Sequence, residues 1–256
     1  MNPIYENEWV KLYQGDCLEI MPKLDITFDA CITDPPYGTT SCKWDSIIPF
    51  DEMWKKILPI MKENAAILLH GSQPFSSVLV MSNVKMFKHE WIWIKNRGSN
   101  FANTIREPMK EHEQILFFSN GKWTYNKQMQ ERSENGKLRS KYKCNFITGS
   151  ENYRKFCDRN NNILTELRVP SSYQKFNIET GLHPTQKPVA LLEYLIKTYT
   201  NEGDLILDFC AGSGTTGVAC METNRRCVLI EKEEKYCEIT IKRLQDKEKE
   251  IAERLF

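Results

Sequence analysis

The chain has 256 residues, 41% of them hydrophobic and 27% charged, with a formal net charge of +1. That balance excludes a disordered or fibrous chain and suits a globular protein of one or two domains with a sizeable core. No apolar run approaches the roughly 18 residues that cross a bilayer, and "MNPIYENEWV" lacks the basic-then-apolar order of a signal peptide, so a cytoplasmic protein away from membranes is expected.

"EWVKLYQ" (8–14) alternates weakly and reads as a strand, and Gly15–Asp16 turn into a short helix limited by Pro22. "FDACITD" (28–34) is a compact apolar strand. It runs into "PPYG", where the prolines stop any regular element at once. Apolar residues near helical spacing predict a helix over 50–62. "AAILLHG" (65–71) reads as a buried strand, "SVLVMSNVKMF" (77–87) as a helix, and "EWIWIK" (90–95) and "EQILFFS" (113–119) as strands. From 119 to about 173 apolar periodicity fades into Asn, Lys, Arg, Ser and Tyr, over too long a stretch for a simple connection. Regular pattern returns at "HPTQKPVALLEYLIKTY" (183–199), a helix that Thr185 can cap and whose early Pro188 costs little. "DLILDFC" (204–210) is a strand, "AGSGTTGVACMETN" a Gly-rich turn into a helix, "RCVLIE" (226–231) a strand, and the charged tail an amphipathic helix. Strands alternating with helices imply a mostly parallel α/β sheet.

Charge is unevenly spread. Residues 1–60 hold 5 Lys+Arg against 10 Asp+Glu, whereas 119–176 hold 12 against 5, a local basic excess that attracts phosphates in a nearly neutral chain. The nine cysteines are odd in number and form no C-x-x-C pair, which argues for reduced, packed thiols and against a zinc site or disulfide scaffold.

The strand–turn–helix "LILDFCAGSGTTG" (205–217) carries Gly212 and Gly214 in its turn, and Glu231 ends the next strand, 19 residues after Gly212. Glycine permits close ligand approach, and an acid about 20 residues on takes ribose hydroxyls in nucleotide folds. A nucleoside-containing cofactor is expected. Gly217 fills the third position of the glycine pattern, so spacing alone leaves a dinucleotide open.

"DPPYG" (34–38) followed much later by "DFCAGSGTT" (208–216) resembles the S-adenosylmethionine-dependent DNA amino-methyltransferases, and the order of catalytic motif, basic insertion and cofactor motif resembles their beta group. "GDCLEIM" (15–21) and "HPTQKP" (183–188) stand where that group has further motifs. The resemblance implies an α/β fold with a Rossmann-like, mostly parallel, seven-stranded methyltransferase sheet in circularly permuted order. Residues 1–118 would form the catalytic half, 119–180 a small irregular target-recognition insertion and 181–256 the cofactor half.

In that scheme Asp34 and the Pro35 carbonyl accept the two N–H groups of an exocyclic amine, favouring a tetrahedral nitrogen and stabilising its developing charge. Pro35 and Pro36 fix the carbonyl's direction in advance, and Tyr37 offers a stacking face. The target base must leave the duplex to reach them. The resemblance places S-adenosylmethionine against Asp208, Phe209, Gly212, Ser213 and Gly214. It gives Glu231 the ribose, Asp16 the adenine amine, and His183, Thr185 and Lys187 the closing side, with Thr185 or Lys187 near the carboxylate. Capping by Asp16 and plain packing of His183 are the competing structural readings. Lys43 and Trp44 would close on DNA, and Lys122, Lys127, Arg132, Lys137, Arg139, Lys141 and Lys143 are candidate phosphate or base contacts. Asp before Pro-Pro-Tyr leans towards N6 of adenine in double-stranded DNA, N4 of cytosine being the alternative, ahead of an RNA or protein amide or a non-catalytic DNA-binding role. A homodimer and a cognate restriction endonuclease are the protein partners that the resemblance raises.

Overall fold

The structure, a computed structural model, describes residues 1–40, 42, 45–141 and 166–254, the side chains of 138–141 excepted. The elements run β1 (Tyr5–Glu6), β2 (Val10–Gln14), α1 (Cys17–Ile20), β3 (Phe28–Thr33), α2 (Phe50–Ile57), β4 (Met61–Gly71), α3 (Phe75–Ser82), β5 (Phe87–Ser99), β6 (Lys110–Phe118), β7 (Gln130–Glu131), α4 (Glu134–Lys141), β8 (Leu167–Arg168), β9 (Tyr173–Lys175), α5 (Val189–Tyr199), β10 (Leu205–Asp208), α6 (Thr215–Glu222), β11 (Arg226–Glu231) and α7 (Glu234–Arg254).

Side-chain alternation along the strands sorts the core into two layers. Val10, Leu12, Ala30, Ile32, Leu68, Ile206 and Leu229 face α5, α6 and α7 on one side of the sheet. Tyr13, Cys31, Ile67, Leu69, Leu207, Val228 and Ile230 face α1, α2 and α3 on the other. The sheet order is β1-β2-β11-β10-β3-β4-β6-β5-β9. β2, β11, β10, β3 and β4 are mutually parallel, and β6 runs antiparallel between β4 and β5. The expected seven strands are the inner ones. The two additional edge strands, β1 and β9, are two and three residues long, too short to leave a period in the sequence.

Four local expectations change. The helix expected over 77–87 ends at Ser82, where Asn83 leaves helical backbone, and Phe87 already opens β5. α2 stops at Ile57, because Pro59 has no N–H to continue it, and a 3-10 turn leads straight into β4 at Met61. β5 runs on to Ser99, where it pairs with Lys110 as the root of a hairpin arm. Thr185 does not cap α5. The first amide of that helix, Val189 N–H, donates to Glu179 Oε1 at 2.9 Å, while the Thr185 hydroxyl bonds His183 Nδ1 at 3.1 Å.

The chain divides into two units, Met1–Asn126 with Ser172–Phe256, and Lys127–Ser171. The second is narrower than the 119–180 expected. Asn126 N–H donates to the Thr198 carbonyl of α5 at 2.7 Å, and β9 pairs with β5, so both flanks belong to the first unit. Within the second unit, β7 and β8 pair antiparallel, and Arg132 Nε donates to the Leu167 carbonyl at 2.7 Å.

Candidate active site

β3 and β10 are adjacent and parallel, with Ala30 beside Ile206 and Cys31 beside Leu207. Their carboxyl ends therefore deliver Asp34 and Asp208 to the same edge. From here β11 lies to one side and β4 to the other, the switch point at which open α/β sheets bind ligands. Thr33 Oγ1 donates to Asp208 Oδ1 at 2.7 Å, tying the two strand ends together. The cavity above them is about 1020 Å³, at the top of the roughly 300–1,000 Å³ range of small-molecule sites. It has room for a nucleoside cofactor and a base together.

On the β10 side, Gly212 (φ +53°) and Gly214 (φ +74°) take left-handed backbone that disfavours other residues. A Cβ on Gly214 would come within 2.5 Å of Thr240 Cγ2. Gly214 also supplies no capping side chain to α6, leaving first-turn amides for an acceptor. Glu231 ends β11 on the cavity wall. Its Oε2 accepts from Gly212 N–H at 2.7 Å and its Oε1 from Glu233 N–H at 2.8 Å, and burial raises its pKa. Asp16 caps α1 through Leu18 N–H at 3.0 Å and pairs with Lys232 at 3.2 Å, while still lining the cavity. Ser213 and Phe209 are buried against this turn. The His183 ring lies 4.2 Å from that of Tyr236 and faces Gly212. This glycine cradle with two acids beside it fits a nucleoside bearing ribose hydroxyls. Asp208 has a different part. It is buried and accepts from Thr33, from Cys210 N–H at 3.1 Å and from Thr216 Oγ1 at 2.5 Å. Burial pushes its pKa up to about 6 against those bonds, so it organises the turn.

On the β3 side, Asp34 Oδ1 accepts from the Tyr37 hydroxyl at 2.5 Å, and Oδ2 pairs with the Lys187 ammonium. The Tyr37 ring is half-buried and leans on Phe75, centroids 5.0 Å apart. Burial, then the Asp34 charge, push its hydroxyl pKa well up. Behind Asp34 lies a chain of buried charge. Lys187 is 3.4 Å from Glu113 Oε2, and Glu113 Oε1 is 2.5 Å from Lys95. Burial alone would raise the pKa of Glu113, but Lys187 and Lys95 bring it down to about 2. Burial works against the Lys187 charge, and Asp34 and Glu113 more than offset it. His70 lies beside this group, 1% exposed, with no hydrogen-bond partner for either ring nitrogen among the described residues. Burial and then Lys187 lower its pKa to about 4, so it is neutral at pH 7.

The model of a family described as DNA methylase, of the N6/N4 class, matches residues 28–242. The chain belongs to this DNA methylase family. It is 28% identical to the type II methyltransferase M2.DpnII of Streptococcus pneumoniae over 270 residues, covering 95% of this chain and 92% of that protein. It is also 28% identical to M.HpaI of Haemophilus parainfluenzae, covering 85% and 68%. The crystal structure of the M1.HpyAVI–SAM complex matches with a TM-score of 0.65 at 27% identity, covering 92% of this chain and 100% of that one. The cytosine-N4-specific PvuII DNA methyltransferase matches with a TM-score of 0.65 at 13% identity over 96% and 93%, a likeness of fold.

In this DNA methylase, Asp34, Pro35, Pro36 and Tyr37 line one cavity with Asp16, His183, Thr185, Lys187, Asp208, Phe209, Gly212, Ser213 and Glu231. Gly214 sits just behind as the first residue of the α6 cap. The expected DNA contacts fare unevenly. Lys122 and Lys127 are exposed. Arg132 is spent on the Leu167 carbonyl, and Lys137 on Glu134 at 2.9 Å and Glu166 at 3.4 Å. Lys43, Trp44 and Lys143, and the side chains of Arg139 and Lys141, lie outside the described residues. The turn after the catalytic motif is nonetheless fixed at its far end. Asp45 accepts from the backbone N–H groups of Gly38 (2.8 Å), Thr39 (2.9 Å) and Thr40 (2.6 Å). Sequence reasoning missed His70, Lys95 and Glu113, and gave Lys187 no contact with Asp34.

Proposed function

We propose that this DNA methylase transfers the methyl group of S-adenosylmethionine to the N6 amine of an adenine turned out of double-stranded DNA. The observation that carries the reading is the Asp34 carboxylate, held by Tyr37 and Lys187 one strand away from the glycine turn of β10. When bound, S-adenosylmethionine supplies an electrophilic methyl group on a sulfonium. The Gly212–Gly214 backbone, Glu231 and Asp16 would hold it, with His183 and Thr185 across the cleft.

Asp34 and the Pro35 carbonyl take the two amine protons as hydrogen bonds, drawing the nitrogen lone pair out of conjugation. An amine N–H then replaces one of the present donors on Asp34. As the N–C bond would form, the S–CH3 bond would break with its electron pair left on sulfur as a neutral thioether; the nitrogen would gain positive charge that the Asp34 carboxylate offsets, and one N–H proton would leave through Asp34 to solvent. No cysteine is required as a nucleophile. The basic unit Lys127–Ser171 is the proposed reader of the DNA site. A homodimer and a partner endonuclease complete the proposal.

The test incubates the protein with labelled S-adenosylmethionine and duplex DNA of mixed sequence, followed by digestion to nucleosides. N6-methyladenine is expected. N4-methylcytosine would overturn the choice of base, and DNA binding without product would overturn the activity. Asp34→Ala should abolish transfer and leave cofactor affinity within about threefold. Retained transfer in that variant would refute the amine clamp.

A further inference from the structure

The arm made by β5 and β6 ends in a tip, residues 99–110, that stands at the cleft mouth. Asn100, Asn103, Glu107 and Lys110 of this tip line the same cavity as Asp34. The tip is built rather than loose. Asn100 takes left-handed backbone (φ +64°). Its Oδ1 accepts Lys110 N–H at 2.8 Å, and its Nδ2 donates to Glu107 Oε1 at 3.2 Å and to the Pro108 carbonyl at 3.4 Å. Backbone turns Asn103→Asn100 (2.8 Å) and Arg106→Asn103 (2.9 Å) close the inside. At its root, a Cβ on Gly98 would fall 2.1 Å from Met109 Cγ, so the two sides of the arm are in contact there.

Two large apolar residues of this pinned turn are largely exposed. Phe101 is 79% exposed and Ile105 is 92% exposed. Scattered exposed apolar residues need no explanation, but two on one fixed turn beside a reactive cleft do. Arg97, Arg106 and Lys110 of the arm stand against two acids, Glu107 and Glu111, a small cationic excess, and the carboxylate of Glu107 accepts from Asn100 at 3.2 Å. An apolar point on an arm with a cationic excess suits a duplex, whose phosphates meet Arg97 and Arg106 while the point enters the base stack. Apolar wedges of this kind hold base steps apart.

We propose that Phe101 and Ile105 form the wedge that fills the duplex where the target base leaves it. The proposal rests on the reading that the substrate base is turned out of double-stranded DNA. A fixed wedge lowers the cost of that step, because the gap is occupied by a group already in place. The role is positioning, since neither side chain reaches the reacting atoms.

The experiment first maps the methylated site of the wild-type protein by sequencing modified bases in plasmid DNA. It then measures kcat/KM on two short duplexes carrying that site, one fully paired and one with the target base mismatched. The double variant Phe101→Ala, Ile105→Ala should lose about tenfold or more on the paired duplex, because turning out a paired base costs more than turning out a mismatched one. On the mismatched duplex it should stay within about threefold of wild type, with cofactor affinity unchanged. Equal losses on both duplexes, or none on either, would overturn the wedge. So would a dimer that becomes monomeric in the variant by sedimentation velocity, which would make the tip a self-association face. Wild-type protein that leaves all duplex DNA unmethylated would overturn the underlying reading, and the wedge with it.

Discussion

Glu113 is the carboxylate on which the buried charges of the site depend, and replacing it with Gln tests that account. The change keeps shape and removes one negative charge from between Lys95 and Lys187, whose side chains are 8% and 7% exposed. Removing one partner of a buried pair costs about 3–5 kcal/mol. Linkage gives a similar figure. Glu113 titrates near 2 in place of its ordinary 4.5, and at about 1.4 kcal/mol per unit this is roughly 3 kcal/mol. A depressed carboxylate pKa stabilises the fold above the unfolded value and loses that contribution as pH falls towards the folded one. The stability gap between wild type and Glu113→Gln should therefore be widest at pH 7 and narrow from about 4.5 downward. At neutral pH it corresponds to a fall in Tm of about 6–20 °C for a chain of this size. Urea titrations at pH 7 and pH 3 measure it. With Glu113 neutral, Lys187 keeps Asp34 as its one carboxylate partner among the described residues and competes harder with the incoming amine, so kcat should also fall while cofactor affinity holds. Glu113→Asp, which restores the charge, should recover part of both. Coincident urea midpoints at pH 7, or a gap that stays constant down to pH 3, would refute the reasoning.

His70 is neutral and buried with its pKa lowered from 6.5 to about 4, so unfolding takes up a proton between those values. Its contribution is full above about 6.5 and declines as pH falls to 4, and the stability of wild type relative to His70→Phe should fall by about 3 kcal/mol over that interval. Asp208, raised to about 6, acts in the opposite sense, losing stability as pH rises from 3.8, so the difference between the two proteins is the quantity to read. Gly214→Ala forces a side chain into left-handed backbone and against Thr240. It should lose at least about 1–2 kcal/mol of stability and weaken cofactor binding by calorimetry, and unchanged affinity would count against the glycine cradle. Asp45→Ala removes the acceptor of three backbone amides. Hydrogen exchange at Gly38, Thr39 and Thr40 should accelerate, and exchange as slow as in wild type would show that the turn holds without it.

What the sequence made legible is what is local to it. "DPPYG" stops a strand at a carboxylate wherever it occurs, and "DFCAGSGTT" turns a strand into a helix on two left-handed glycines. Both needed only their neighbours to be read. Burial by both helical layers gave the inner strands apolar runs that reported themselves. Lys187 shows the limit. Its place before α5 was visible, but its ammonium meets Glu113 from β6 and Asp34 from β3, and no stretch of chain contains the three.

Part of this was nonetheless encoded as parity. His70 continues the row of Ala66 and Leu68, Glu113 that of Ile115 and Phe117, and Lys95 that of Trp91 and Trp93, all facing the same core layer. Each polar residue stands where its row leaves the core, so alternation alone assigns all three to one face. What alternation cannot supply is strand order. β6 is inserted antiparallel between β4 and β5, setting Trp93 opposite Glu113 and His70 opposite Ile115. Three residues that read separately as edge polarity thereby become one buried group behind Asp34. In "EHEQILFF" Glu111 and Glu113 share one parity, and only the pairing partners decide which acid turns inward.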